Sequence, residues 1–164
     1  MSSDMNLRLS NGIVGESQDG VHTDTIDIDS WSMSMTQSGT THRGPGGGGG
    51  KVNVGDITIN KKVDLSSHDL IARCASGEHI DSAELIVRKA GGASALEFFK
   101  INLERVIVSS YQTGGTADSS GYIPETFTMN FRRFEITYTQ QDEGGMAGSS
   151  GSAGWDIAAN QPWP

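Results

Sequence analysis

Glu16, Asp19, His22 and Asp24 fall within nine residues, and carboxylates beside an imidazole are ligands that a divalent cation takes. Their spacing matches neither a calcium loop nor a zinc motif, so a solvated polar turn is the expectation. Residues 45–52 (PGGGGGKV) resemble a phosphate-binding loop, but Pro45 stands where that loop needs Gly and Val52 where it needs Ser or Thr. A strand pattern follows in place of the helix whose N-terminus would hold a phosphate. No serine sits on a nucleophile elbow, and no His–Asp–nucleophile set is specified locally. Cys74 is the single cysteine, so no internal disulfide forms, and its place on an apolar helical face reads as core packing. His68 lies in the first turn of that helix and His79 just after it, and both read as surface residues. The chain therefore reads as a protein with no reaction, metal or cofactor of its own.

A run of hydroxyls is more informative. Ser30, Ser32 and Ser34 alternate with Trp31, Met33 and Met35, so the serines share one strand face and the large residues the other. Such a face is smooth, polar and nearly uncharged. It suits ordinary solvent exposure or a closely approached surface, such as a ring interior or an interface.

The elements that position these residues are mostly strands. Residues 6–14 open with Leu7 and Leu9 on one face and predict a first strand. In residues 25–35, Ile26 and Ile28 share one phase and Trp31, Met33 and Met35 the other, which predicts a bulge or sharp bend between them. The same phase break recurs between Val54 and Ile57, between Leu103 and Val106, and between Phe131 and Phe134. Repeated breaks are what strands need to coil round a small barrel or cross between two packed sheets. Burial of both faces, by a helix on one side and another subunit on the other, explains them equally. Residues 83–90 and 96–111, joined at Gly91–Gly92, predict a hairpin, and residues 155–158 a short last strand.

Residues 65–77 predict the one helix, over about 66–76. Ser66 is its N-cap, Asp69 lies in the first turn, and Leu65 and Leu70 are placed as a hydrophobic staple. Leu70, Ile71, Cys74 and Ala75 form its apolar face, and Gly77 ends it. Glycine concentrates in residues 44–50, 114–121 and 144–154, which read as loops. Residues 36–50 are too long for a tight hairpin and read as an extended arm that orders against a partner. The expected fold is mainly β: a barrel-like body of two packed antiparallel sheets with one short helix alongside and a long Gly-rich loop. The 164 residues suit a single domain, 1–164.

Net charge is −8, from 20 acidic and 12 basic residues, which argues against nucleic acid as a partner. No apolar run is long enough to insert in a membrane, and the N-terminal residues lack the basic and apolar regions of a signal peptide.

Taken in order, several segments are similar to the haemolysin-coregulated protein (Hcp) family, the tube proteins of bacterial type VI secretion. They are residues 15–19 (GESQD) with His22, residues 26–32 ending in Trp31-Ser32, and the glycine run leading into residues 51–54 (KVNV). Residues 62–67 (KVDLSS), 75–79 (ASGEH), 87–92 (VRKAGG) and 106–110 (VIVSS) continue the match along nearly the whole chain. The resemblance implies a homohexameric ring that stacks into a tube inside a contractile sheath. Its implied partners are sheath proteins, a VgrG-type spike with its baseplate, and effector proteins carried in the lumen. It also implies synthesis in the cytoplasm and export through that machine without a signal peptide. Gly44, Gly46, Gly47, Gly48, Gly49, Gly50 and Lys51 would belong to an arm that contacts neighbours. Ser30, Ser32 and Ser34 would face the lumen. Rival readings are a free ring acting as an effector chaperone, and a secreted enzyme on a barrel scaffold.

Overall fold

The computed structural model describes residues 3–39, 42, 44, 48–89 and 95–164. Its strands are β1 (Ser3–Leu9), β2 (Ile26–Asp27), β3 (Ser30–Ser32), β4 (Met35–Thr36), β5 (Asn53–Val54) and β6 (Ile57–Lys62). After the helix α1 (Ser67–Ser76) come β7 (Ile80–Lys89), β8 (Glu97–Thr113), β9 (Pro124–Gln141), β10 (Ala147–Asp156) and β11 (Gln161–Pro162). Every pairing is antiparallel. Nine strands form one sheet, ordered β11-β10-β9-β8-β7-β1-β2, with β6 also on β9 and β3 on β6; β4 and β5 form a separate two-stranded ribbon. The sheet order is open. Its ends approach because residues 26–32 pair with β1 through Ile26 and Asp27 and with β6 through Ser30 to Ser32.

The long strands β8 and β9 serve both halves of the body, and the phase breaks are how they do it. Leu103 lies opposite Phe134 and Val106 opposite Phe131, and all four are buried. Alternation would turn one residue of each pair outward, since Leu103 and Val106 are three apart, as are Phe131 and Phe134. The backbone turns between them at Arg105, whose φ is 56°. Phe131 and Phe134 then meet edge to face, with centroids 5.9 Å apart. At this level β9 also changes its flanking partner. Its residues up to Met129 pair with β6, and those from Arg133 on pair with β10.

The core gathers Leu7, Leu9, Ile26, Ile28, Ile57 and Ile59 with the inward residues of β7 to β9. Trp31 and Met33 pack against the same core as Ile26 and Ile28, so the break between β2 and β3 keeps both phases inward. At one end Trp31 stacks on Phe99, centroids 5.4 Å apart.

Several local expectations need correction. The first strand spans Ser3–Leu9, and the chain turns at Asn11 and Gly12, both with positive φ. Ser66 is helical, and its hydroxyl bonds back to Asp64 without capping the helix. Asp64 closes the helix start instead. Its carboxylate accepts the Ser66 N–H at 2.9 Å, and its own N–H donates to Ser67 Oγ at 3.0 Å. Leu65 is 54% exposed, so the staple is absent. The inward face of α1 is Ser67, Leu70 and Cys74, while Ile71 and Ala75 are exposed. Gly77 ends the helix as expected, left-handed at φ 71°, its N–H donating to the Arg73 carbonyl. Much of the Gly/Ser stretch 144–154 is strand, not loop: β10 occupies Ala147–Asp156 and bonds along β9. The last strand is Gln161–Pro162, which pairs with Trp155 and Asp156.

Candidate assembly surfaces

The three serines stand on a wider surface than one strand. Ser30 lies opposite Asn60, Asn60 opposite Thr126, and Thr126 opposite Gln112. One pleat along, Ser32 lies opposite Thr58, Thr58 opposite Thr128, and Thr128 opposite Ser110. Two rows of hydroxyls and amides thus cross β3, β6, β9 and β8 on the face away from the core. Side-chain bonds tie the rows together: Asn60 Nδ2 donates to Ser30 Oγ at 2.9 Å, and Thr126 Oγ1 donates to Asn60 Oδ1 at 2.7 Å. The bulge between Val108 and Ser110 turns both Ser109 and Ser110 to Thr128 Oγ1, at 2.7 and 2.6 Å. Beyond these rows Asp56 accepts from Ser109 at 2.6 Å and from Asn130 at 3.0 Å. Ser34 is exposed beside the ribbon, and its carbonyl accepts the Gly55 N–H at 2.9 Å. Sequence alternation found the serines on β3. Thr58, Asn60, Thr126 and Thr128 have the same signal, hydroxyls and an amide out of phase with Ile57, Ile59, Phe127 and Met129.

The outer face changes character past the Arg105 bend. There Arg8 pairs with Glu84 at 3.2 Å and Arg133 with Glu104 at 3.1 Å and with Asp156 at 2.8 Å. One pair of strands therefore presents a charged surface on one half and an uncharged one on the other.

The arm leaves the body through the β4–β5 ribbon, where Met35 lies opposite Val54 and Thr36 opposite Asn53. Its two limbs run close: a Cβ on Gly50 would lie 2.5 Å from Ser38 Oγ, and one on Gly55 would lie 3.0 Å from Ser34 Oγ. Gly48, Gly49, Gly50 and Lys51 are exposed, as is Gly44. Gly46 and Gly47 lie outside the described residues, as does Pro45. Lys51 leads into a strand, not a helix, so the phosphate-loop geometry is absent.

Glu16, Asp19, His22 and Asp24 converge on no common centre. Residues 15–25 instead form a strap over the outer side of β1 and β7. Gly15 is needed because a Cβ there would lie 2.5 Å from the Thr25 carbonyl oxygen. Glu16 accepts the Leu65 N–H at 2.9 Å. Asp19 pairs with Arg88 and accepts the Val21 and His22 N–H groups, and Arg88 first among them holds its carboxyl well below the usual range. His22 is buried: Arg8, which can only donate, faces Nδ1 at 3.2 Å, so Nδ1 accepts and Nε2–H donates to Glu97 at 2.5 Å. Asp24 is exposed. The expected solvated turn is thus a fixed strap, and no group of three metal-ligating side chains forms among the described residues.

A buried polar network, unforeseen from sequence, joins α1 to the sheet. Lys61 and Glu125 are directly opposed on β6 and β9 and form an ion pair with both side chains fully out of water. Asp64 accepts from Lys61 at 2.8 Å, Ser67 donates to Glu125 at 2.7 Å, and Tyr111 donates to the other Glu125 oxygen. Burial, with the Glu125 carboxylate alongside, pushes the Tyr111 hydroxyl up to about 12. The available signal was phase: Lys61 follows Ile57 and Ile59, and Glu125 precedes Phe127 and Met129, on the core side.

The chain is similar to known proteins over nearly its whole length. A family profile described as "Type VI secretion system effector, Hcp" matches residues 7–138. Protein hcp1 of Pseudomonas aeruginosa is 40% identical over 161 residues, which cover 98% of each chain. The structure of a type six secretion system protein superposes with a TM-score of 0.91 at 26% identity, covering 99% of this chain and 100% of that one. The crystal structure of Hcp1 from Salmonella typhimurium gives 0.80 at 31% identity, with the same coverage. With the family profile spanning most of the chain and a relative of this identity over its whole length, the chain belongs to the Hcp family of type VI secretion system proteins.

Proposed function

We propose that this chain is the ring-forming subunit of a type VI secretion tube, a structural part with no reaction of its own. Rings of six stack inside a contractile sheath, are driven out with a VgrG-type spike, and carry effector proteins in their lumen. The observation that carries this reading is the uncharged face built across β3, β6 and β9 from Ser30, Ser32, Thr58, Asn60, Thr126 and Thr128. A wall that passes cargo must be wetted without gripping it, and short hydroxyls and amides without net charge do that. The face also ends in two edges that have no further strand partner among the described residues: β3 on one side, and residues 107–113 of β8 on the other. Joining one copy's first edge to the next copy's second continues the sheet and removes an exposed-edge liability. Repeated, such a heterologous contact closes into a ring. The arm at the end of β3 and β6 then reaches the adjacent ring.

Light scattering on the purified chain tests the assembly. A closed oligomer several times the 17.4 kDa chain mass is expected, with rings in electron micrographs and filaments at higher concentration. A strict monomer at high concentration overturns the reading. Ser32→Gln tests the wall: the longer amide should lower effector retention with the ring intact, and unchanged retention removes Ser32 from the lumen.

A further inference from the structure

We propose that a basic cleft at the root of the arm binds acidic side chains of a second copy of this chain. This rests on the reading that copies associate, and it identifies the chemistry of one contact. Lys51, His79, Arg105 and Arg132, with Ile107 and Ile157, line a shallow cleft of about 330 Å³. They come from five places: the arm just before β5, the residue before β7, β8, β9, and the residue after β10. The cleft lies in the notch where β9 leaves β6 and takes up β10.

Three observations mark it as a docking site for an anionic partner. First, no acidic residue lines the cleft, although the chain carries 20 acidic residues against 12 basic ones. Second, the cations are available. Lys51 and Arg105 are in no ion pair among the described residues, and Arg132, which shares Asp156 with Arg133, keeps 44% of its side chain exposed. Third, Arg105 adopts φ 56°, a backbone conformation that strains a residue with a long side chain. A bend alone is better served by Gly, or by Asn. What Arg adds at that cost is a positive charge in the lining of the cleft.

The partner is another copy because the cleft is continuous with the surfaces already assigned to assembly. Lys51 belongs to the arm, and Asn130 lines both the cleft and the end of the hydroxyl face. A second copy also brings the complementary charge. Asp24, Asp29, Glu135 and Glu143 are in no ion pair among the described residues.

The test is sedimentation velocity on the full chain and on Arg105→Gly, at about 0.05 M and about 0.5 M salt, where screening differs strongly. Arg105→Gly relieves the backbone strain while removing the charge. A purely structural role for Arg105 therefore predicts equal or higher thermal stability with unchanged assembly. The expected result is equal or higher stability with association weakened about tenfold at low salt, the equivalent of one well-placed charge pair. The wild type should weaken by a similar factor at high salt and the variant should change little. Arg105→Asn, which also tolerates the left-handed backbone, should match Arg105→Gly, and Lys51→Glu with Arg105→Glu should weaken association further. Wild-type-like assembly of Arg105→Gly and Arg105→Asn overturns the inference and leaves the ring reading standing. Loss of effector retention with assembly unchanged also overturns it, in favour of a cargo site. A wild type that is monomeric at both salts defeats the ring reading itself.

Discussion

Lys61 and Glu125 face each other across the β6–β9 pair as direct register partners, and neither side chain touches water. A buried pair of this kind specifies geometry more than it stabilises, because desolvation of both charges offsets much of their attraction. Here it fixes where α1 sits, since Asp64 and Ser67, at the start of the helix, bond to the same two groups. Removing one partner leaves the other charge stranded. Lys61→Met is expected to cost about 3–5 kcal/mol in urea unfolding, and Glu125→Leu a similar amount. The double substitution should recover most of that loss. Additive losses would show that the two residues act independently.

Gly154 fills a tighter place than any other glycine among the described residues. A Cβ there would lie 2.0 Å from the Trp163 carbonyl oxygen and 2.6 Å from that of Phe134, and both are backbone atoms that cannot rotate away. Gly154→Ala should therefore displace β11, breaking the Trp163 N–H bond to the Gly154 carbonyl. A loss of about 1–3 kcal/mol is expected in thermal unfolding, with faster carboxypeptidase release of the last residues. Gly50→Ala is the control, because its nearest neighbour is the rotatable Ser38 hydroxyl.

Alternation read out most of the fold, since the apolar residues of β6, β8 and β9 keep a period of two between breaks, and the breaks themselves announced the bends. It located the serine face for the same reason. Two kinds of feature escaped it. Polar residues in core phase, Lys61 and Glu125, look like errors in a pattern until their partners on distant strands are known. The helix face keeps Leu70 and Cys74 but exchanges Ile71 and Ala75 for Ser67, because that buried pair draws Ser67 inward, which local periodicity does not register. The β10 strand escaped because Gly is depleted in strands and its small residues carry no apolar alternation. Its ladder to β9 is a tertiary bond, beyond what residues 144–154 encode locally. The basic cleft joins residues more than fifty positions apart, so only the folded chain shows it.

Acid should weaken the fold in part through Asp156. The Ala159 N–H at 3.0 Å, then Arg133 at 2.8 Å, hold the Asp156 carboxyl down at about 2 from an ordinary 3.8. A depressed folded value means a contribution fully present above the unfolded value and lost as pH falls through the folded one. The stability attributable to Asp156 is thus complete above about pH 5 and disappears towards pH 2. Asp19, lowered chiefly by Arg88, acts in the same direction. Urea midpoints should fall between pH 5 and pH 2, and Asp156→Asn should flatten part of that slope. An unchanged slope in the variant would remove Asp156 as its source.

The arm should be loosely held in the isolated subunit and firm in the assembly. Its ribbon has only two register pairs, Met35 with Val54 and Thr36 with Asn53, and so short a ribbon is marginal in water. Amides of residues 37–39 and 48–52 are therefore expected to exchange rapidly with solvent in dissociated subunits. Those of β6 and β9, paired along six positions next to the core, should be protected. On assembly the arm amides should slow while the core amides stay unchanged. Deleting residues 46–50 should leave the unfolding transition within about 1 kcal/mol, because shortening a surface connection changes closure entropy only slowly. The same deletion should weaken stacking of rings into filaments without dissolving the rings. Lost core protection in the deletion variant would instead make the arm part of the fold, and equal filament formation would take stacking away from it.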